Sequence, residues 1–268
     1  MTTEAHVINL ADRTDRWDAM KTAWKDEPIT LVKREAIKIN GDDIPDAYHA
    51  VFLKHREILT TAKKLGEKHI LIMEDDASPC KEFGRHWTVI KEYLDARDDW
   101  ELFNGGMLMI RDCVEKIVRI DHKDKKDPTM LLGVWRGAMA HFLYMKVDPC
   151  LKKMEEWESD GKPMFDGWYS HKLKTVASIP YLAFQRDGYS DAAGEVRSWE
   201  ERFKFEEDMM RYALREFMTP EAVNPQFDHA DPRQTVLREI DRTSGGFEPP
   251  KSPVWDGKGY SFATALNE

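Results

Sequence analysis

Three acids in a row, Glu74-Asp75-Asp76, follow the short apolar run His69-Ile70-Leu71-Ile72-Met73. Carboxylate oxygens are hard donors, and a cluster of them suits Mg²⁺ or Mn²⁺ bridging to the phosphates of a substrate. The competing reading is a solvated acidic turn before Ser78-Pro79. Further on, Phe165-Asp166-Gly167-Trp168 sets an acid beside an aromatic ring. That composition suits a general base with a sugar-stacking platform, and equally a helix cap. Asn9 to Arg16 carries two arginines, Arg13 and Arg16, at a strand-to-helix turn where anion sites form readily. Surface pairing of those arginines with Asp12 and Asp15 is the alternative. In Lys54-His55 the histidine reads first as a packing residue on a helix, with direct catalysis by His55 as the lesser alternative. After the last clear strand, Gln185 and Ser190-Asp191 either position a ligand or close a turn.

These groups need a scaffold that brings them together. Ile70 to Met73 has the pattern of a strand buried on both faces of a sheet. Three charges cannot share that interior, so they must emerge at the carboxyl end of the strand, where open α/β sheets place their crevices. If strand geometry persists, Glu74 and Asp76 point one way and Asp75 the other.

Around this strand, His6–Leu10 reads as a first strand, followed by a helix capped by Asp12 or Thr14, with Trp17, Met20 and Trp24 at helical spacing. A strand over Ile29–Ile39, a helix over Asp46–Lys64 ended by Gly66, and a helix over Phe83–Ala96 are expected. Trp100–Phe103 reads as a strand stopped by Asn104-Gly105-Gly106, and Asp121–Pro128 as a solvated loop. Gly137–Tyr144 leads small residues into a strand, and Asp148-Pro149 starts a helix. A helix over Pro163–Leu173 and a strand over Thr175–Ile179 complete the alternation. The fold class is therefore α/β, a sandwich with a mostly parallel central sheet flanked by helices. Residues 1–191 form the domain. Residues 192–268, an amphipathic helix over Trp199–Phe217 and then a polar segment with Gly245-Gly246 and Pro249-Pro250, read as an appendage shaping the acceptor side.

Composition sets bounds. With 268 residues, 41% hydrophobic and 33% charged, the chain has the make-up of a soluble globular protein. No run approaches the roughly 18 apolar residues of a membrane span. The first residues show no signal-peptide pattern, and Cys80, Cys113 and Cys150 contain no CxxC pair. A reduced, cytoplasmic setting is expected, the host cytoplasm if the chain is viral. The net charge of -9 argues against broad electrostatic attachment to nucleic acid or anionic lipid.

In this order the segments resemble the family 25 glycosyltransferases, the lipooligosaccharide and collagen galactosyltransferase type with the GT-A fold, and related viral and bacterial enzymes. The family start "V-I-N-L-x-x-R-x-D-R" is matched by Val7-Ile8-Asn9-Leu10, Arg13, Asp15 and Arg16, and "L-I-L-E-D-D" by Leu71 to Asp76. Lys54 replaces the serine of a Ser-His pair. Gly105-Gly106, Gly137–Tyr144, Asp166 and Gln185 with Ser190-Asp191 match later segments more loosely.

The resemblance implies a GT-A-like domain over 1–191. It implies transfer of a hexose from a nucleotide-diphosphate sugar, a UDP-sugar by preference, to an acceptor hydroxyl with inversion. It implies Mn²⁺ or Mg²⁺ on Asp76, paired with Glu74. Asn9, Leu10, Arg13, Arg16, Glu74, Asp75 and Gln185 would then face the donor. Asp166 would act as the base, with Asp191 as the second choice. A glycan, a protein side chain or a modified nucleobase would be the acceptor. Two rival classes stand beside this. A nucleotidyltransferase of similar fold would usually carry a glycine-rich phosphate loop, and the Asn9 turn has no glycine. A sugar- or nucleotide-binding module without turnover would not need the full set of acids.

Overall fold

Strand β1 (Thr3–Asn9) and strand β3 (His69–Glu74) pair in parallel, and the register sets Ile8 beside Glu74. Asn9 and the acids beyond β3 therefore leave the sheet at the same edge. In the computed structural model residues 2–37, 46–108, 110, 113–122, 128–190 and 195–217 are described, with short strands beyond them at 237–241, 254–255 and 260–261.

Helix α1 (Thr14–Ala23) leads to β2 (Ile29–Glu35), and helix α2 (Ala47–Lys64) leads to β3. After β4 (Ala77–Pro79) come α3 (Phe83–Asp95), β5 (Leu102–Asn104), β6 (Val114–Ile120), β7 (Thr129–Val134) and β8 (Phe142–Lys146). Helices α4 (Val147–Met154) and α5 (Phe165–Lys172) precede β9 (Thr175–Ile179). Short strands β10 (Ala183–Gln185), β11 (Gly188–Ser190) and β12 (Glu195–Arg197) then lead to α6 (Glu200–Phe217) and β13 (Leu237–Asp241).

The central sheet has nine strands in the order β13-β6-β7-β9-β5-β8-β3-β1-β2. β1, β2, β3, β5, β6 and β9 run one way, while β7, β8 and β13 run the other. The α/β class and the predominant strand direction agree with the sequence reading. The sheet is mixed because β8 inserts antiparallel between β3 and β5, and because β6 and β7 form a hairpin.

Alternation along β3 explains its continuous apolar run. Leu71 and Met73 join Trp24, Phe83 and Trp87 on the face covered by α1 and α3. Ile70 and Ile72 join Phe52, Leu59 and Phe165 on the face covered by α2, α4 and α5. Burying each such side chain contributes about 1.5–3 kcal/mol, which holds β3 in register against the charges at its end. A third cluster sets Phe203, Met210 and Leu214 of α6 against Ile117, Met130 and Leu132, so this helix belongs to the core although it follows Asp191. Most of the proposed appendage beyond α6 lies outside the described residues.

Two helix starts differ from expectation. Arg13, and neither Asp12 nor Thr14, occupies the N-cap of α1, without a side-chain bond. α4 starts at Val147, which puts Asp148 and Pro149 inside its first turn, where proline's missing N–H is tolerated. Asp46 does cap α2, accepting from the His49 backbone N–H at 2.8 Å. Among the described residues, no helix is long and apolar enough to cross a membrane.

The glycines after β5 are required by close approach. A β-carbon on Gly106 would lie 2.0 Å from the Ala183 carbonyl oxygen and 2.6 Å from His141 Nε2. Gly105 in turn accepts from the Leu182 and Ala183 N–H groups at 2.6 and 3.1 Å. This contact brings the segment before Gln185 against the end of β3. Gly106→Ala should cost about 3 kcal/mol, the upper end of ordinary overpacking, because the obstacle is backbone. Calorimetry should show the melting temperature lowered by roughly 6–12 °C. A shift under 2 °C, roughly the effect of less than 1 kcal/mol, would mean the segment yields freely.

Candidate active site

The acidic triplet divides as strand geometry predicts. Asp75 is 6% exposed and turns inward, where its two oxygens accept from Asn9 Nδ2 at 2.7 Å and Arg16 Nη1 at 2.8 Å. Glu74 and Asp76 share the other side, bridged by the side-chain amide of Gln185. Its Nε2 donates to Glu74 at 3.2 Å and lies 3.4 Å from both oxygens of Asp76. The antiparallel pairing of β10 with β4, which sets Gln185 beside Ala77, delivers that amide.

Two carboxylates held together in a partly buried place repel. Burial first, then repulsion from Asp76, Asp75 and Asp166, pushes the Glu74 carboxyl up to about 8. Burial and Asp75 push Asp76 up to about 6, while Arg16, Arg186 and the Gln185 amide oppose the shift. Among the described residues, no group of three or more His, Cys, Asp or Glu side chains is placed to hold a metal. Glu74 and Asp76 still fit a divalent cation of the Mg²⁺ type. Such ions take one or two carboxylates and leave other positions to water and substrate phosphate.

Beside the acids lies a cleft of about 270 Å³ lined by Arg13, Arg16, Asp76, Arg186, Tyr189 and Trp199, among others. Arg13 is paired with Asp15 at 3.0 Å, and Arg16 reaches past Asp75 to the Tyr189 carbonyl. Asn9 fixes the entry turn by donating to the Arg13 carbonyl at 3.1 Å, and the Leu10 carbonyl accepts from Arg13 N–H at 3.1 Å. Leu10 thus acts here through its backbone. Arg186, absent from the sequence-based set, donates its backbone N–H to Asp76 O at 2.9 Å and Nη2 to Asp75 O at 2.6 Å. Asp187 accepts from the N–H groups of Trp199 and Glu200, which fixes Trp199 at the cleft wall.

Asp166 stands in the first turn of α5, close enough to Glu74 to raise it, and does not line this cleft. Its oxygens accept from Met139 N–H and Gly167 N–H, both at 2.8 Å. Met139 has φ 93, a conformation side chains rarely adopt, and Asn104 holds its carbonyl at 2.6 Å. Asn104 was also outside the sequence-based set. Trp168 is no sugar platform. It is 8% exposed, packs in the core with Phe165 and Tyr169, and donates Nε1 to Asp160 at 2.8 Å. The ring follows the inward stripe of α5, not the acid beside it.

His55 is fully buried against Phe165, with Nδ1 2.9 Å from the Val51 carbonyl, and burial lowers it to about 4. Lys54 pairs with Glu57 at 2.8 Å. His55 is the packing residue the sequence suggests. Asp191 lies outside the described residues.

No family model matches the chain, and no curated protein is similar to it. Among solved structures it is similar to A197 from STIV, with a TM-score of 0.37 and 15% identity over 73% of this chain and 93% of that one. It is also similar to a glycosyltransferase involved in the glycosylation of the major capsid of PBCV-1, with a TM-score of 0.33 and 11% identity over 59% and 66%. A third is apo UDP-glucose pyrophosphorylase, with a TM-score of 0.30 and 8% identity over 80% and 82%. Likenesses this distant say nothing of the chemistry of this chain.

Proposed function

We propose that this protein is a metal-dependent glycosyltransferase. It moves a hexose from a nucleotide-diphosphate sugar, by preference a UDP-sugar, to an acceptor hydroxyl with inversion. The observation that carries this reading is the Glu74–Asp76 pair, held at the carboxyl edge of the sheet beside an arginine-lined cleft. The resemblance to the family 25 motifs supports the donor class.

The chemistry follows from charge. As the bond from the anomeric carbon to the diphosphate oxygen breaks, negative charge grows on the departing diphosphate. Glu74 and Asp76 would hold a divalent cation, which would supply the positive charge that offsets it. Arg16, fixed by Asp75, and Arg13, paired with Asp15, line the cleft on the side where the nucleotide would lie. The acceptor oxygen forms the new bond to the anomeric carbon as its proton passes to Asp166. Two backbone N–H groups orient that carboxylate and leave it lone pairs to accept the proton.

Incubation with UDP-glucose, UDP-galactose and GDP-mannose in the presence of Mn²⁺ should release the nucleoside diphosphate with at least one donor, and EDTA should stop it. Release of pyrophosphate from a nucleoside triphosphate and a sugar phosphate would show nucleotidyl transfer instead. Donor binding without any release would leave a binding module.

A further inference from the structure

We infer that Arg186 is the residue that grips the diphosphate of the donor, a direct contact made by its guanidinium within the cleft. The inference rests on the donor class proposed above. The three arginines of the cleft differ in how their charge is used. Arg13 is paired with Asp15, and Arg16 with Asp75. Arg186 forms no ion pair among the described residues, and its side-chain bond there goes to a neutral backbone carbonyl, that of Asp75. Its Nε and Nη1 groups take no protein partner among those residues, although the side chain is half-buried and lines the cleft beside Asp76. Asp76, Asp75 and Asp15 act on this cation only from beyond ion-pair distance, so a half-buried guanidinium facing the cleft still has donors open to an anion that binds there.

The position of Arg186 is also fixed in advance. Its own N–H is bound to Asp76 O, the preceding Gln185 is held on the two acids, and the following Asp187 caps α6. A planar fork held this way matches two phosphate oxygens, where a lysine would offer a single point charge. Tyr189, half exposed, and Trp199 stand on the same wall and give the cleft ring surface for a nucleoside. A nucleoside diphosphate is therefore the ligand class that uses all of the wall.

The test is calorimetry in EDTA with inorganic pyrophosphate, UDP and uridine on the full chain, comparing the native protein with Arg186→Gln and Arg186→Lys. Arg186→Gln should weaken pyrophosphate and UDP by about 10–100-fold, the usual worth of hydrogen bonds to a charged group. Uridine binding should be unchanged, and Arg186→Lys should recover part of the loss. Mn²⁺ affinity, read separately by electron paramagnetic resonance, should hold or rise, since a cation has been removed beside the acids. A role limited to clamping the acidic turn predicts a different result, in which Mn²⁺ and pyrophosphate weaken together. That outcome, unchanged pyrophosphate binding in Arg186→Gln, or absence of pyrophosphate binding by the native protein, would overturn the inference. If the anion site behaves as expected but no sugar is transferred, the proposed activity fails and the site stands.

Discussion

Asp166→Asn should slow sugar transfer by about 10²–10⁴-fold, the usual worth of a general base, with donor affinity nearly unchanged. The substitution keeps the shape of the side chain but removes its capacity to accept a proton at neutral pH. It also has a structural consequence. Asp166 accepts from two backbone N–H groups, those of Met139 and Gly167. An asparagine can accept from only one, because its NH₂ faces the other donor, and one unpaired N–H costs about 1–3 kcal/mol. The Met139 turn would loosen, so a loss of rate alone would not establish the base.

Asn104→Ala separates the two causes. It frees the same turn from the other side, through the Met139 carbonyl, and also releases the Gly106 N–H that Asn104 Oδ1 accepts at 3.1 Å, so its structural cost is at least as broad while the Asp166 carboxylate stays in place. Rate assays on both variants at saturating donor should show a fall with Asn104→Ala at least tenfold smaller than with Asp166→Asn. Equal falls would make Asp166 a positioning residue for the Met139 turn and return the search for the base to Asp191.

Much of the scaffold was legible because burial leaves a pattern. The run Ile70 to Met73 with acids directly behind it places a strand and its ligand edge in one stroke, and alternation alone tells that Asp75 turns away from Glu74 and Asp76. The β6–β7 hairpin was missed for a physical reason. Its apolar residues flank a charged loop and pair antiparallel, so a reading tuned to strand–helix alternation passes over Val114–Ile120 and Thr129–Val134. Trp168 shows the opposite error. An aromatic beside an acid suggests a sugar platform, yet Phe165, Trp168 and Tyr169 stand at i, i+3 and i+4, the spacing of a buried helical stripe. Gln185 stands out as a polar residue after a strand and its donor-facing role follows from a family motif, but its bridge between Glu74 and Asp76 comes from the β4–β10 pairing and the glycine contact at Gly106. Arg186 comes to the cleft by the same route. No local spacing announces contacts made across more than a hundred residues of chain.

Asp76→Asn should lower metal-dependent transfer by about 10²–10³-fold, the effect of removing one preorganised electrostatic group from a reacting centre. The same substitution should make the metal-free protein less sensitive to rising pH, and the two effects share a cause. Glu74 is held above its ordinary value by burial and by Asp76, so the folded chain keeps a proton that the unfolded chain has released. The stability this contributes is complete below the unfolded carboxylate value and is lost as pH rises through the folded value near 8. Without the Asp76 charge, Glu74 ionises more easily in the folded chain, and less stability is lost over that window. Calorimetry in EDTA at pH 5, 6.5 and 8 should show a melting temperature that falls with pH more steeply in the native protein than in Asp76→Asn. Adding Mn²⁺ at pH 8 should raise the melting temperature of the native protein and leave that of the variant nearly where it was, because a cation stabilises only a site able to hold it. Identical pH slopes together with identical Mn²⁺ responses would mean that Asp76 neither repels Glu74 nor binds the ion. Burial and mutual repulsion hold this pair of acids above their ordinary values, a cation between them would relieve that repulsion, and both measurements read it.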